Sequence, residues 1–115
     1  MPLNTTELSD YERDGFVLTL DAFSGSEIAL LKAEMPALLG EDSPRRVLEK
    51  DGRTVRALHG VHATNDVFGR LVRDARLLEP ARQILGSDVY VHQFKINIKA
   101  AFEGDVWKWH QDFIF

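Results

Sequence analysis

An alternation of apolar and polar residues over positions 88–99 is the feature that most constrains how this sequence can fold. Successive side chains of an extended strand point to opposite faces. One face would carry the mainly apolar side chains of Tyr90, His92, Phe94, Ile96 and Ile98. The other would carry Val89, Val91, Gln93, Lys95, Asn97 and Lys99. The pattern predicts a strand with one face on a core, and composition alone favours a solvent-exposed polar face.

A second strand is predicted over residues 105–115, which alternate and are rich in aromatic side chains. On a strand, His110 and Asp112 project from one face, with Gln111 on the other. One imidazole and one carboxylate are two of the three ligands in the 2-His-1-carboxylate set that holds non-haem Fe(II). A His-x-Asp triplet also arises often by chance, so an exposed ion pair on a strand is the alternative interpretation.

The upstream sequence predicts short elements of scaffold. They are a helix over 7–14, a strand over 16–20, a helix over 28–39, hairpin strands over 45–49 and 54–58, and helices over 67–72 and 77–85. Thr5 and Thr6 are candidate caps of the first helix, and Ser24 with Glu27 forms a capping box before the second. Asp51-Gly52 is a strong hairpin-turn signal.

Three upstream residues are candidates for substrate binding. Arg56 lies in the second hairpin strand, where a guanidinium can pair with a carboxylate substrate, although a solvated edge charge is the simpler interpretation. His59 and His62 follow, three residues apart. No third metal ligand of matching spacing lies nearby, so pocket-lining or surface histidines are favoured over a metal pair.

Composition excludes several classes of protein. The 115 residues leave room for one domain, and a net charge of −4 gives no basic surface for nucleic acid. There is no cysteine for a disulfide or thiolate site, no apolar run of the roughly 20 residues that cross a bilayer, and no signal-peptide pattern at the N-terminus. We therefore predict a cytoplasmic protein. Because the sequence stops at Phe115 inside a strand pattern, we expect it to be the N-terminal part of a longer chain.

Four stretches together resemble the phytanoyl-CoA dioxygenase family of Fe(II)/2-oxoglutarate oxygenases. They are residues 11–17, 46–58, 91–99 and 102–112. The sequence is most similar to bacterial hydroxylases of free amino acids, of the leucine 5-hydroxylase type. The resemblance implies an α+β fold, a double-stranded β-helix of the jelly-roll or cupin kind with N-terminal helices. Residues 1–115 would form the N-terminal part of that single domain.

The resemblance also implies an activity: hydroxylation of an unactivated C–H bond of a free aliphatic amino acid in natural-product biosynthesis. The cofactor would be Fe(II), with 2-oxoglutarate and O2 as co-substrates. Halogenating relatives carry a small residue at the position of Asp112, so a carboxylate there favours hydroxylation.

By the same resemblance, His110 and Asp112 are the catalytic metal ligands, Gln93 and Asn97 bind 2-oxoglutarate, and Trp107 lies against it. The segment with His59 and His62 would lie near the substrate mouth. The remainder of the chain would supply the second histidine ligand and an arginine for 2-oxoglutarate. Three alternatives stay open: a catalytically incomplete fragment, a non-enzymatic binding module, or a hydroxylase of another small carboxylate-bearing metabolite. Residues 1–115 alone should be poorly soluble.

Overall fold

The computed structural model describes residues 2–102 and 106–112, which form an α+β arrangement of helices around a small sheet. The elements, in chain order, are α1 (Thr5–Asp14), α2 (Gly25–Gly40), β1 (Arg46–Leu48), β2 (Val55–His59), a 3-10 turn (Val61–Ala63), α3 (Asp66–Leu71), α4 (Ala75–Leu85) and β3 (Lys95–Asn97). No helix in the described part of the chain is long and apolar enough to cross a bilayer.

The sheet is antiparallel, with β2 in the centre between β1 and β3. The predicted hairpin is confirmed, and its turn is held by the Asp51 carboxylate, which accepts hydrogen bonds from the backbone N–H groups of Arg53 and Thr54, each at 2.8 Å. The Thr54 hydroxyl also donates to it, and these hydrogen bonds lower the pKa of Asp51 to about 2. Gly52 has a φ of 71°, a conformation that favours glycine.

The core lies between the sheet, α2 and α3. Its buried residues are Leu38, Val55, Leu58, Val61 and Phe68. Phe94, Ile96 and Ile98 pack against them, whereas Lys95, Asn97 and Lys99 are exposed. The predicted alternation is therefore confirmed from position 94 onward. The strand itself is shorter than predicted, and Tyr90 on the predicted core face is 83% exposed.

The predicted strands over 16–20 and 105–115 are wrong for the residues that the structure describes. Residues 16–20 and 106–112 contain no β-ladder, and residues 105 and 113–115 lie outside the described part. A strand needs a partner for its backbone N–H and C=O groups, and no described segment pairs with either stretch. Phe16, Leu18 and Leu20 are 67%, 72% and 75% exposed.

The predicted helices form where local capping specifies them. The capping box of α2 is confirmed: Glu27 N–H donates to Ser24 Oγ at 3.2 Å, and Ser24 N–H donates to the Glu27 carboxylate at 2.8 Å. The cap of α1 is Asn4, rather than Thr5 or Thr6, with Glu7 completing the box. Helix α2 continues through Pro36 to Gly40.

Arg76 ties the first turns of α2 and α4 together. Its Nη2 lies 2.8 Å from Glu27 Oε1 and 2.7 Å from Asp74 Oδ2, and its guanidinium stacks 4.2 Å from the centre of the Phe23 ring. The hydrogen bonds from Arg76 are the main reason why the pKa of Glu27 falls to about 2, and the pKa of Asp74 falls to about 2 for the same reason. Both carboxylates therefore stabilise the folded state when ionised.

Acid should weaken this link. A carboxylate with a lowered folded-state pKa contributes stability that is present above its unfolded value and lost as pH falls through the folded value. For Glu27 and Asp74 the window runs from their ordinary values of 4.5 and 3.8 down to about 2. We expect Arg76→Gln to remove part of the acid-induced drop in the urea unfolding midpoint, measured by circular dichroism across this window.

Arg82→Gln is the matched control, because Arg82 lies on the same helix and its ion pair with the fully exposed Asp88 is long, at 3.7 Å. It should leave the acid dependence as in wild type. The acid-dependent contribution of Asp51 to the stability of the fold should persist in both variants. Parallel loss of stability in wild type and Arg76→Gln across this window would contradict the assignment.

Candidate metal centre

One cavity of about 700 Å³ gathers a residue that directly follows α3 and residues from α4, the 90–97 stretch and the 106–112 segment. Its lining residues are Val72, Leu77, Tyr90, Val91, His92, Gln93, Phe94, Lys95, Asn97, Trp107, His110 and Asp112. All five residues predicted to bind the metal or 2-oxoglutarate are among them: Gln93, Asn97, Trp107, His110 and Asp112. The structure thus brings together residues separated by up to about 20 positions in the sequence.

His110 and Asp112 converge although their segment is irregular. His110 Nε2 lies 3.1 Å from Asp112 Oδ1, and the two side chains are 48% and 93% exposed. His110 Nδ1 is 2.7 Å from the Lys108 carbonyl oxygen. Because a carbonyl can only accept a hydrogen bond, Nδ1 carries the proton in this contact, and the lone pair of the neutral ring lies on Nε2.

This donor arrangement fits a metal ion. A lone pair on Nε2 and a carboxylate oxygen 3.1 Å apart repel each other unless a proton or a cation lies between them. Histidine and carboxylate ligands bind ions such as zinc at roughly 2.0–2.2 Å, so two donor atoms about 3 Å apart can both reach one ion. Nitrogen and oxygen donors also suit Fe(II). A backbone carbonyl that accepts a hydrogen bond from the other ring nitrogen and so orients the imidazole, as the Lys108 carbonyl does here, is typical of metal-binding histidines.

The described residues supply an incomplete ligand set. Across residues 2–102 and 106–112, no group of three or more histidine, cysteine, aspartate or glutamate side chains could hold a metal ion. The His110–Asp112 pair offers two donors, whereas a facial triad needs three. A third protein ligand would have to lie outside the described part of the chain.

The polar face around β3 is exposed and borders the cavity, and the binding of 2-oxoglutarate by this face stays a prediction. Gln93 and Asn97 present amide groups there, and Lys95 lies between them. Lys95 has no role predicted from the sequence. The alternation of residues 93, 95 and 97 does place it on the same face as the two amides. Val72, which directly follows α3, and Leu77, in α4, form apolar wall in a part of the chain expected to be scaffold.

Arg56 is held by the protein itself. Its Nη1 lies 3.5 Å from Glu49 Oε2, and its Nη2 lies 3.4 Å from the Val106 carbonyl oxygen. The guanidinium carbon lies 4.0 Å from the centre of the Trp107 ring. The side chain is only 24% exposed, so Arg56 is not the solvated edge charge that composition favoured.

His59 and His62 do not line the cavity, although each neighbours a residue that does. His59 is exposed at the end of β2, and the His62 ring packs against Phe94 with 5.0 Å between ring centres. Neither histidine, nor Arg56, is among the residues that line the cavity. The substrate-binding roles of Arg56, His59 and His62 stay predictions.

A cavity with one imidazole and one carboxylate at its edge defines a candidate for the 2-His-1-carboxylate class of metal sites. Comparison with known proteins makes the assignment specific. Residues 11–115 match the phytanoyl-CoA dioxygenase (PhyH) family, and the chain belongs to this family.

The chain is homologous to Fe(II)/2-oxoglutarate dioxygenases. It is 43% identical over 116 residues to the ectoine dioxygenase of Halomonas elongata, with 97% of this chain and 35% of that protein covered. It is 44% identical over 105 residues to the L-proline trans-4-hydroxylase of Streptomyces griseoviridis, with 91% and 39% covered. The chain therefore spans well under half the length of these curated relatives.

Solved structures show the same likeness. EctD from S. alaskensis with 2-oxoglutarate and 5-hydroxyectoine superposes with a TM-score of 0.89 at 35% identity, covering 97% of this chain and 41% of that one. EctD from S. alaskensis with bound Fe gives 0.87 at 36% identity, with the same coverage. Homologous structures thus hold the iron and the 2-oxoglutarate predicted from the sequence. The likeness to leucine 5-hydroxylases stays a prediction.

Proposed function

We propose that this chain forms the N-terminal part of an Fe(II)- and 2-oxoglutarate-dependent hydroxylase with a single double-stranded β-helix domain. The observation that carries the proposal is the 3.1 Å His110–Asp112 pair at the edge of a cavity that Gln93 and Asn97 also line. The homology to enzymes of this class supports it. The second histidine ligand and the arginine that binds 2-oxoglutarate would lie beyond residue 115, in sequence that the relatives possess.

Each residue has a distinct task in this proposal. His110 Nε2 and the Asp112 carboxylate hold the iron, while the Lys108 carbonyl keeps the imidazole in the required tautomer. Gln93 and Asn97 donate amide hydrogen bonds to 2-oxoglutarate without adding charge, and the Trp107 ring packs against it. The bound iron would supply oxidative chemistry with O2 as the oxidant: one oxygen atom of O2 would enter succinate as 2-oxoglutarate loses carbon dioxide, and the other would enter a C–H bond of the substrate.

The carboxylate of Asp112 sets the expected outcome. By the family resemblance, it would fill the coordination position that a small residue leaves open for chloride in halogenating relatives. We therefore expect hydroxylation of the substrate and no halogenation.

For the substrate we propose a free aliphatic amino acid, as in hydroxylases of the leucine 5-hydroxylase type that serve natural-product pathways. An apolar wall of Val72, Leu77 and Val91 suits an aliphatic side chain. Lys95 on the same cavity offers a positive charge near which a carboxylate is stabilised. A second candidate is another small metabolite, since relatives are named for ectoine and for proline. A cytoplasmic location also stays a prediction.

Substrate-dependent succinate release tests this function. The complete protein that contains this chain would be loaded with Fe(II) and 2-oxoglutarate and offered each of the twenty amino acids and ectoine. We expect succinate to form in equal amount with an aliphatic amino acid that has gained one oxygen atom, as measured by mass spectrometry. Omission of iron is the control and should abolish both products.

The outcomes separate the alternatives. Turnover of ectoine alone would overturn the amino acid substrate and keep the class of enzyme, whereas turnover of proline alone would keep an aliphatic amino acid and overturn only the leucine 5-hydroxylase type. Failure of the complete protein to bind Fe(II) would overturn the hydroxylase and favour a non-enzymatic binding module.

A further inference from the structure

Glu49 is a buried carboxylate directly after β1. Only 8% of the residue is exposed, and no other charged residue among those that the structure describes is buried. Its backbone N–H closes the hairpin by donating to the Thr54 carbonyl at 2.7 Å. Burying an ionised carboxylate is costly unless a cation pairs with it, and the Arg56 guanidinium lies 3.5 Å away. Glu49 therefore fixes Arg56 on one side of the sheet.

Arg56 in turn contacts two adjacent residues of the 106–112 segment. Its guanidinium stacks on the Trp107 ring at 4.0 Å, and its Nη2 donates to the Val106 carbonyl at 3.4 Å. No β-ladder holds this segment to the sheet within the residues that the structure describes. Side-chain contacts such as these must replace the missing backbone pairing.

The same residue also touches the strand that carries the amide groups. The Arg56 carbonyl accepts a hydrogen bond from Ile98 N–H at 2.8 Å, and Ala57 lies opposite Asn97 in the register of β2 and β3. Arg56 thus connects the wall of the cavity that holds Asn97 with the segment that holds Trp107 and the His110–Asp112 pair.

We propose that Arg56, fixed by Glu49, is a positioning residue. It locks the 106–112 segment onto the sheet so that the His110–Asp112 pair faces the cavity wall of Gln93 and Asn97. This role differs from the substrate anchor predicted from the sequence, because Glu49 supplies the carboxylate that a substrate would otherwise bring. The metal part of the inference rests on the proposed function; the placement of Trp107 does not.

The placement is tested by ¹⁹F NMR of the complete protein labelled with 5-fluorotryptophan. The Trp107 resonance is assigned by its loss in Trp107→Phe. We expect Arg56→Ala to shift this resonance towards that of a solvent-exposed indole, while the resonance of Trp109, which is fully exposed already, stays in place. The matched control is Arg46→Ala, which removes the same charge from the neighbouring strand, where Arg46 pairs with the exposed Asp42.

The consequence for the metal is tested by calorimetric titration with Fe(II). Loss of a group that orients a ligand typically weakens metal affinity about 10- to 100-fold. We expect a Kd increase of about tenfold in Arg56→Ala and in Glu49→Gln, and less than about twofold in Arg46→Ala. The variant with both substitutions, Arg56→Ala and Glu49→Gln, should bind Fe(II) no more weakly than Arg56→Ala alone. Residues that act through one contact give non-additive effects.

Two results would overturn the inference. One is an unchanged Trp107 resonance and an unchanged Fe(II) Kd in Arg56→Ala. The other is a raised KM for the organic substrate with an unchanged Fe(II) Kd, which would identify Arg56 as a substrate anchor.

The inference can still be tested if Arg56→Ala does not fold or if the wild-type protein binds no Fe(II). If Arg56→Ala does not fold, Arg56→Lys keeps the charge beside Glu49 but loses the planar stacking group. It should then show an intermediate Trp107 shift and Kd, and wild-type values of both would overturn the inference. If the wild-type protein binds no Fe(II), the proposed function fails, and the Trp107 resonance alone decides whether Arg56 holds the segment.

Discussion

Replacing His110 by alanine should lower substrate-dependent succinate release by the complete protein on the order of a thousandfold or more. In the proposed site the chain offers two donors to the iron, and the imidazole is one of them. Its loss leaves the carboxylate without the nitrogen partner that the Lys108 carbonyl now orients. Asp112→Ala should have an effect of similar size, because it removes the other donor. Succinate and hydroxylated product would both be quantified at saturating 2-oxoglutarate.

Gln111→Ala is the matched control for these variants. Gln111 lies between the two proposed ligands in sequence and is exposed, and it is absent from the wall of the cavity. We expect its turnover to stay within a few-fold of wild type. Turnover near the wild-type level in His110→Ala would show that this pair is not the metal centre.

Replacing Leu58 by alanine should cost about 3 kcal/mol of the free energy of unfolding, within the range of roughly 2–5 kcal/mol for such core truncations. Leu58 is 2% exposed, lies on the central strand β2 and belongs to the buried core cluster. Typical domains are stable by only about 5–15 kcal/mol, so this change consumes a large part of the total. Urea titration followed by circular dichroism would measure it.

Val47→Ala provides the comparison for Leu58→Ala. Val47 lies on the neighbouring strand β1 but is 39% exposed, so its truncation leaves no sealed cavity. We expect a loss of less than about 1 kcal/mol. Equal losses in the two variants would mean that the sheet is not packed on one face as described.

Local signals made much of this fold predictable. Ser24 and Glu27 lie three residues apart and cap α2 by hydrogen bonds within that turn, so the sequence contains all that is needed. The hairpin is specified in the same way by Asp51 and Gly52. The predicted strands over 16–20 and 105–115 failed because a strand also depends on a distant partner, which no local pattern reveals.

The sequence predicts which residues line the candidate site, but it does not predict the contacts that bring them together. The alternation of residues placed His110 and Asp112 on one face of a strand, and the two side chains do converge. They do so on an irregular segment, through the contact of His110 with the Lys108 carbonyl. The link from Glu49 through Arg56 to Trp107 joins residues far apart in sequence, and only the fold shows that they meet.

The contact between His110 and position 108 has a consequence for sequence variation. The group that orients the imidazole is a main-chain oxygen, which every amino acid possesses, and the Lys108 side chain itself is exposed. Position 108 can therefore exchange its charge or size without a change in how the ring is presented. Saturation mutagenesis at position 108 can therefore change the charge beside the cavity while the backbone carbonyl keeps the His110 ring in the same orientation.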